Sequence, residues 1–246
     1  MSEKTVTYES HDRIAVITIN RPDKLNAISA DVERDLREAW LRLGASDDRV
    51  AILTGAGDRA FSAGADLRQP PELWRCMPGV GVPVDKPLIA AINGICIGGA
   101  VCLVQFCDLA VMSETARFSY PEAKVGICGG LISSLAARIP HKMAMELLLL
   151  GEEMGAQRAY EIGMVNRVVP QAELMDAAMD YAQRLSVNAP LVLRMIKRFV
   201  GEVLPKGPSE QAGIARRDLE LTNNSHDAQE GPAAFREKRQ PNFLGA

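Results

Sequence analysis

The sequence is poor in aromatic residues, which limits how its interior can be filled. Its 246 residues include six Phe, four Tyr and two Trp, although 47% of all residues are hydrophobic. We therefore expect aliphatic side chains to make up most of the core. The length allows one large domain, or one domain with a small appendage. A core of that size needs no disulfide or metal to hold it together.

Closely spaced metal ligands are also scarce. The chain has three histidines and five cysteines, and no two cysteines form a C-x-x-C pair. Structural zinc sites and disulfide frameworks use such pairs or an even set of cysteines. We therefore expect no metal, no disulfide framework and a reducing, cytoplasmic compartment.

Long apolar runs and a strong excess of charge are missing as well. No run of 18 apolar residues occurs, and the segment Met1–Thr5 leads into an alternating strand rather than a signal sequence. We therefore expect no membrane span. A net charge of −3 gives no reason to expect nucleic acid or an acidic membrane as a partner.

The hydrophobic pattern predicts an α/β fold that becomes helical toward its end. Buried strands are predicted at 14–19, 50–54, 88–92 and 109–112, and Ser29 is predicted to cap an amphipathic helix. Later helices are predicted at 146–150, 156–162, 173–186 and 191–203, with one strand-like segment at 165–169 and a kink at 205–208. Strands that alternate with helices indicate a parallel sheet. We divide the chain into a core at 1–190 and a helical C-terminal region at 191–246.

Two glycine-rich turns are candidates for binding an anionic group. The first is Phe61–Asp66, and the second is Asn93–Ala100, which contains Gly98 and Gly99. Each follows a predicted strand, so each can offer a backbone amide at the edge where open α/β sheets bind ligands. Two such amides on one carbonyl oxygen would stabilise an oxyanion. Taken singly, the first stretch is explained better by a tight turn before a helix, and the second is explained about as well by close helix packing.

Glu122 is the candidate acid/base. It follows Pro121 and precedes an apolar, glycine-rich turn, so its carboxyl can be partly desolvated. Desolvation raises the pKa of a carboxyl group and suits it to proton transfer. The alternative is a solvated Glu122 paired with Lys124.

These stretches, in this order and spacing, resemble the enoyl-CoA hydratase/isomerase (crotonase) superfamily. The 87–94 segment resembles the family pattern P-x-I-A-A-x-N-G, the 21–27 segment resembles its early R-P-x-x-x-N-A loop, and 230–239 resembles its E-G-x-x-A-F-x-E-K-R ending. The resemblance covers nearly the whole chain. It implies a spiral of ββα units with a helical C-terminal trimerisation region.

The resemblance also implies roles for individual residues. The amides of Ala65 and Gly99 would form an oxyanion hole, and Glu122 would be a catalytic acid/base. The residues expected to line the CoA and acyl site are Lys24, Asn26, Ala27, Ala63, Asp66, Gly98, Cys102 and Trp74, with Phe235 and Lys238 from a C-terminal helix, often that of a neighbouring subunit. The implied substrate is an acyl-CoA, with no cofactor besides the CoA of the substrate, in a homotrimer or a dimer of trimers.

The sequence departs from the family pattern in two places. Hydratases of the family carry two catalytic glutamates, and Cys102 stands where the first is expected. A thiol is a poor general base at neutral pH unless a cation lowers its pKa, so an apolar packing role is favoured over a catalytic one. The 66–86 loop is also shorter than in hydratases, and Trp74 could lie beside the acyl group or simply anchor that loop.

Several functions remain open at this point. A single glutamate suffices for double-bond isomerisation, and it could serve hydration if another group held the water. Other reactions on the same oxyanion hole are hydrolysis, decarboxylation and C–C cleavage. The non-enzymatic alternative is a degenerate relative that acts as a scaffold or binds RNA, although the net charge and Glu122 argue against it.

Overall fold

The computed structural model describes residues 4–245. Met1 to Glu3, part of the N-terminal segment that is not expected to be a signal sequence, lie outside the described residues. Ten strands are present in the described chain. They are β1 Val6–His11, β2 Ile14–Ile19, β3 Val50–Gly55, β4 Ala60–Ser62, β5 Leu88–Ile92, β6 Ile95–Ile97, β7 Leu109–Ser113, β8 Arg117–Ser119, β9 Met154–Gly155 and β10 Arg167–Val169. The four strands predicted from apolar runs are confirmed as β2, β3, β5 and β7.

The helices of the described chain lie mostly in its second half, as predicted. They are α1 Ala30–Ala45, α2 Gly99–Gln105, α3 Glu122–Val125, α4 His141–Met145, α5 Ala156–Glu161, α6 Leu174–Ser186, α7 Pro190–Val203, α8 Pro208–Asn223 and α9 His226–Glu237. Ser29 caps α1 as predicted, since its hydroxyl accepts a hydrogen bond from Val32 N at 3.4 Å. The predicted kink separates α7 from α8. The predicted helix at 146–150 is a π-helical turn that continues α4.

The strands form two sheets that together make a spiral. The larger sheet has the order β1-β2-β3-β5-β7-β10, and all its pairings except β1 with β2 are parallel. The smaller sheet has the order β4-β6-β8-β9. Along the chain, β3 is followed by β4, β5 by β6 and β7 by β8, so each turn adds one strand to each sheet. This repeat is the predicted ββα spiral.

Residues alternate between two apolar layers along the larger sheet, as the period of a strand requires. Leu53 points into the layer shared with Trp40 of α1, whereas Ile52 packs on the opposite face with α6 residues such as Ala178. Both faces of the sheet are therefore covered, which is typical of parallel sheets. Most of the core is aliphatic, as the composition predicted.

The C-terminal helices leave much apolar surface open. Helix α7 has no buried residue, and Phe199 and Val203 on it are 52% and 80% exposed. No helix in residues 4–245 is long and apolar enough to cross a membrane. The boundary between core and helical region at residue 190 remains a prediction.

Candidate active site

The amide of Ala65 is oriented by hydrogen bonds on both sides of it. Ile28 N donates to Gly64 O and Asp66 N donates to Ile28 O, both at 2.8 Å. In a planar trans peptide the carbonyl and the following N–H point in opposite directions. The Ala65 N–H therefore points away from Ile28, and within residues 4–245 it donates to no acceptor.

The second glycine-rich turn lies against the first. Pairing of β4 with β6 brings the ends of these strands together. Gly64 has φ +83°, and a Cβ placed on it would lie 3.3 Å from Gly99 N and 2.5 Å from Ile97 O. Only glycine fits here. Gly99 is the first residue of α2, and its N–H also has no acceptor in the described chain. Two free amides thus lie side by side.

Glu122 reaches this pair of turns across Gly98. Strand β8 pairs with β6, and Gly98 N donates to Ser119 O at 3.0 Å, so α3 starts next to the second turn. Gly98 has φ +55°, and a Cβ on it would lie 2.7 Å from Glu122 Oε1. The carboxyl therefore occupies space that a side chain at position 98 would need.

The Glu122 carboxyl is partly shielded from solvent. Its Oε2 is fully buried and has no hydrogen-bond partner among the described residues. Burial raises the pKa of Glu122 to about 6. Lys124, the partner considered in the alternative, donates instead to Gly151 O at 2.9 Å. The site thus holds a carboxyl whose pKa is close to neutral.

Cys102 lies on α2, about one turn after Gly99. It is 2% exposed. Burial, together with the nearby Glu122 carboxyl, raises the pKa of the Cys102 thiol far above its usual range. The thiol stays protonated at neutral pH, which agrees with a packing role.

In the 66–86 loop, Leu73 rather than Trp74 lies next to Gly99 at the start of α2. A Cβ on Gly99 would lie 2.7 Å from Leu73 Cδ1. Trp74 faces α8, where a Cβ on Gly213 would lie 3.3 Å from its Cβ. The structure thus fits the anchoring alternative for Trp74. Leu73 could not be predicted from the sequence, because it begins a four-residue 3-10 turn, Leu73–Cys76, that is too short to show a periodic pattern.

Residues of the early loop surround the first turn without all facing the cleft. Asn26 is completely buried, and its amide group donates to Ala56 O at 3.0 Å and to Ala60 O at 2.7 Å. Its side chain therefore fixes the loop. Lys24 is exposed, and Ala63 N donates to Leu25 O at 2.9 Å. Ala27 joins the same cluster through its carbonyl, which accepts from Arg21.

The two predicted site residues of the C-terminal helix are not part of this cluster within one chain. Phe235 is 86% exposed on α9, and Lys238 ends that helix in a left-handed conformation with φ +54°. The described residues also contain no group of three or more His, Cys, Asp or Glu side chains able to hold a metal ion.

Comparison with known proteins identifies the family. The sequence model described as "Enoyl-CoA hydratase/isomerase" matches residues 9–73 and 82–246. The chain belongs to this family and is an enzyme of its hydratase/isomerase type. The unmatched segment, 74–81, lies in the loop that the sequence marked as shorter than in hydratases.

The similar proteins include hydratases and dehydratases of CoA esters. The chain is 36% identical to (E)-benzylidenesuccinyl-CoA hydratase of Thauera aromatica over an alignment of 256 positions, which covers 98% of this chain and 99% of that protein. It is 39% identical to carnitinyl-CoA dehydratase of Escherichia coli K12, with 94% of this chain and 95% of that protein covered. The solved structure of carnitinyl-CoA hydratase from Mycobacterium avium matches with a TM-score of 0.78 at 34% identity and 100% coverage of both chains.

Proposed function

We propose that the enzyme acts on an acyl-CoA thioester whose carbonyl oxygen accepts hydrogen bonds from Ala65 and Gly99 while Glu122 transfers a proton. One observation carries this proposal most directly. The Glu122 carboxyl lies against Gly98, next to the amides of Ala65 and Gly99, and one of its buried oxygens has no hydrogen-bond partner among residues 4–245. The names of the similar proteins, all of which act on CoA esters, support the substrate class.

The chemistry follows from where charge develops. Removing a proton from C2 of a thioester places negative charge on its oxygen, and two fixed amide donors stabilise that charge by several kcal/mol. A carboxyl with a pKa of about 6 can both accept and return a proton near neutral pH. The buried setting keeps competing water away from the oxyanion.

Isomerisation of a 3-enoyl-CoA to a 2-enoyl-CoA is the reaction that this geometry supports best. Glu122 would take a proton from C2 and return it to C4, so one carboxyl serves both steps. The pKa of Glu122 is raised by burial alone, and no neighbouring charge contributes to the shift. A second carboxylate beside it is therefore not part of the proposal.

Hydration of a 2-enoyl-CoA, or the reverse dehydration, is the second candidate. It is favoured by the similar proteins, which are named hydratases and dehydratases. With Cys102 buried and protonated, the reacting water would need a holder other than that thiol. In hydration, Glu122 would donate a proton to C2 and regain one from the water that adds to C3; in dehydration, it would remove the C2 proton and return one to the leaving hydroxyl.

The two reactions separate in a simple assay. The enzyme is given crotonyl-CoA and a 3-enoyl-CoA in parallel, with Glu122→Gln as the matched variant that keeps the shape of the side chain. Turnover of the 3-enoyl-CoA alone excludes hydration, and turnover of crotonyl-CoA supports it. Full activity of Glu122→Gln would refute the role of Glu122. Inactivity of the unchanged enzyme toward a panel of CoA esters would favour the scaffold alternative.

We also propose that the CoA moiety lies along Lys24, Ala27 and Ala63, with Phe235 and Lys238 supplied by a neighbouring subunit of a homotrimer or dimer of trimers. Contiguous exposed apolar surface is typical of subunit interfaces. The support is the apolar surface exposed on α7 and α9, which consists of Leu191, Val192, Met195, Ile196, Phe199, Val200, Val203 and Phe235. Sedimentation analysis tests it, and a monomer at assay concentration would contradict it.

A further inference from the structure

A partly buried ion pair lies beside the proposed oxyanion donor Ala65. Arg21 Nη1 is 3.2 Å from Asp66 Oδ2, and the side chains are 19% and 16% exposed. The same nitrogen donates to Ala27 O at 2.7 Å. One guanidinium nitrogen thus links the residue before Ile28 with the residue after Ala65. Neither the reaction nor the packing of the core accounts for this pair.

Arg21 is itself held rigidly. Its N–H donates to Asn26 Oδ1 at 3.0 Å, and Asn26 N donates back to Arg21 O at 2.9 Å. Asn26 is completely buried and bonded to the carbonyls of Ala56 and Ala60. The guanidinium therefore extends from a turn that is fixed to the core. Through its ion pair it holds the Asp66 carboxylate in place relative to that turn.

Asp66 is bonded from its other side as well. Arg68 N donates to Asp66 Oδ1 at 3.1 Å, while the backbone N–H of Asp66 donates to Ile28 O at 2.8 Å. The backbone bonds of Ile28 fix the peptide planes on both sides of Ala65. The ion pair fixes the distance between the two segments that carry those planes. A charge-assisted hydrogen bond is stronger than a neutral one.

We infer that Arg21 and Asp66 are positioning residues that hold the Ala65 amide in its donating orientation. The inference rests on the proposed function, because it takes Ala65 as a donor to the thioester oxygen. It also gives Asp66 a role other than direct contact with CoA. Misplacing a donor by about 1 Å can lower a rate about a hundredfold without changing how the rest of the substrate binds.

The test compares Arg21→Gln and Arg21→Lys with the unchanged enzyme. For each, kcat and KM are measured with whichever CoA ester the enzyme converts, together with the dissociation constant of free CoA. The near-ultraviolet absorbance of bound acetoacetyl-CoA reports how far its enolate is stabilised. The matched control is Arg34→Gln, which removes ion pairs to Asp31 and Asp35 on the surface of α1.

For Arg21→Gln we expect kcat to fall about ten- to a hundredfold, the enolate absorbance to fall, and the affinity for free CoA to stay unchanged. Arg21→Lys should recover part of kcat because it can still pair with Asp66. Arg34→Gln should match the unchanged enzyme. If Arg21→Gln does not fold, Asp66→Asn carries the same expectation.

Two results would overturn the inference. The first is an unchanged kcat and enolate absorbance in a folded Arg21→Gln enzyme. The second is a loss of free-CoA affinity as large as the loss of kcat, which would make Asp66 a CoA contact. Failure of the proposed function is distinguishable from both, since the unchanged enzyme would then convert no CoA ester and stabilise no enolate.

Discussion

The carboxyl of Glu122 occupies the space in which a side chain at position 98 would lie, and the lack of a side chain on Gly98 makes this possible. A Cβ there would lie 2.7 Å from Glu122 Oε1, and the backbone of Gly98 is already in the left-handed region at φ +55°. The glycine thus serves two purposes. It lets the chain turn into α2, and it leaves room for the acid/base group.

Gly98→Ala should therefore impair catalysis strongly. The added methyl would displace the Glu122 carboxyl and strain the turn that presents the Gly99 amide, so we expect kcat to fall about a hundredfold or more. The control is Gly129→Ala, in the loop after α3, where an added Cβ meets nothing within 4 Å. Steady-state kinetics of both variants check this, and equal activity would contradict it.

The activity should depend on the ionisation of Glu122. Its pKa is raised to about 6 by burial, and the proposed base must be ionised to accept a proton. Below about pH 6, kcat/KM should fall about tenfold per pH unit, and it should level off above that pH. If kcat/KM instead stayed constant down to the pH at which an ordinary glutamate titrates, the carboxyl that must be ionised would not have a raised pKa.

The stability of the folded enzyme should also depend on the ionisation of Glu122, and that dependence has a predictable direction. Because the pKa of Glu122 is higher in the folded than in the unfolded chain, the folded chain binds more protons between the two values. Its contribution to stability falls as pH rises through that window. Glu122→Gln should therefore be more stable than the unchanged enzyme at about pH 8, with the advantage disappearing near pH 4. Thermal unfolding at both pH values measures the difference, and an equal gain at both would contradict the prediction.

Leu73 should limit the bulk of the acyl group near the thioester. Its Cδ1 lies 2.7 Å from where a Cβ on Gly99 would be. Leu73→Ala should shift the ratio of kcat/KM toward CoA esters branched at C2 by about tenfold or more. Leu67→Ala is the control, since Leu67 belongs to the same loop and is 67% exposed. An unchanged ratio in Leu73→Ala would remove Leu73 from the site.

Cys102 should be replaceable without loss of chemistry. It is 2% exposed, and burial raises the pKa of its thiol. Cys102→Ala should retain kcat within about threefold while costing about 1 kcal/mol of stability through the lost packing. A loss of activity comparable to that of Glu122→Gln would instead make the thiol a participant in the reaction.

Structural elements could be predicted best where the local residue pattern and the packing against distant segments favour the same structure. Strands β2, β3, β5 and β7 are continuous apolar runs, and Ser29 precedes an amphipathic stripe, so their positions could be predicted. The strands of the smaller sheet have two or three residues each, too few to show a period of two. They exist because each pairs with a neighbour distant in sequence.

The same distinction applies to the site. The glycine-rich turns and Glu122 are visible as local patterns, and the structure brings them together. The orientation of the Ala65 amide is not visible, because it depends on Ile28 in a remote segment. Leu73 could not be predicted either, since its position depends on how the irregular loop packs between α1 and α8.

The most direct test of the central claim is a structure of the enzyme with acetoacetyl-CoA bound. The thioester oxygen should lie within about 2.7–3.2 Å of both Ala65 N and Gly99 N, the range of ordinary hydrogen bonds. The Glu122 carboxyl should face C2. A thioester oxygen bound elsewhere, or one that contacts neither amide, would contradict the account.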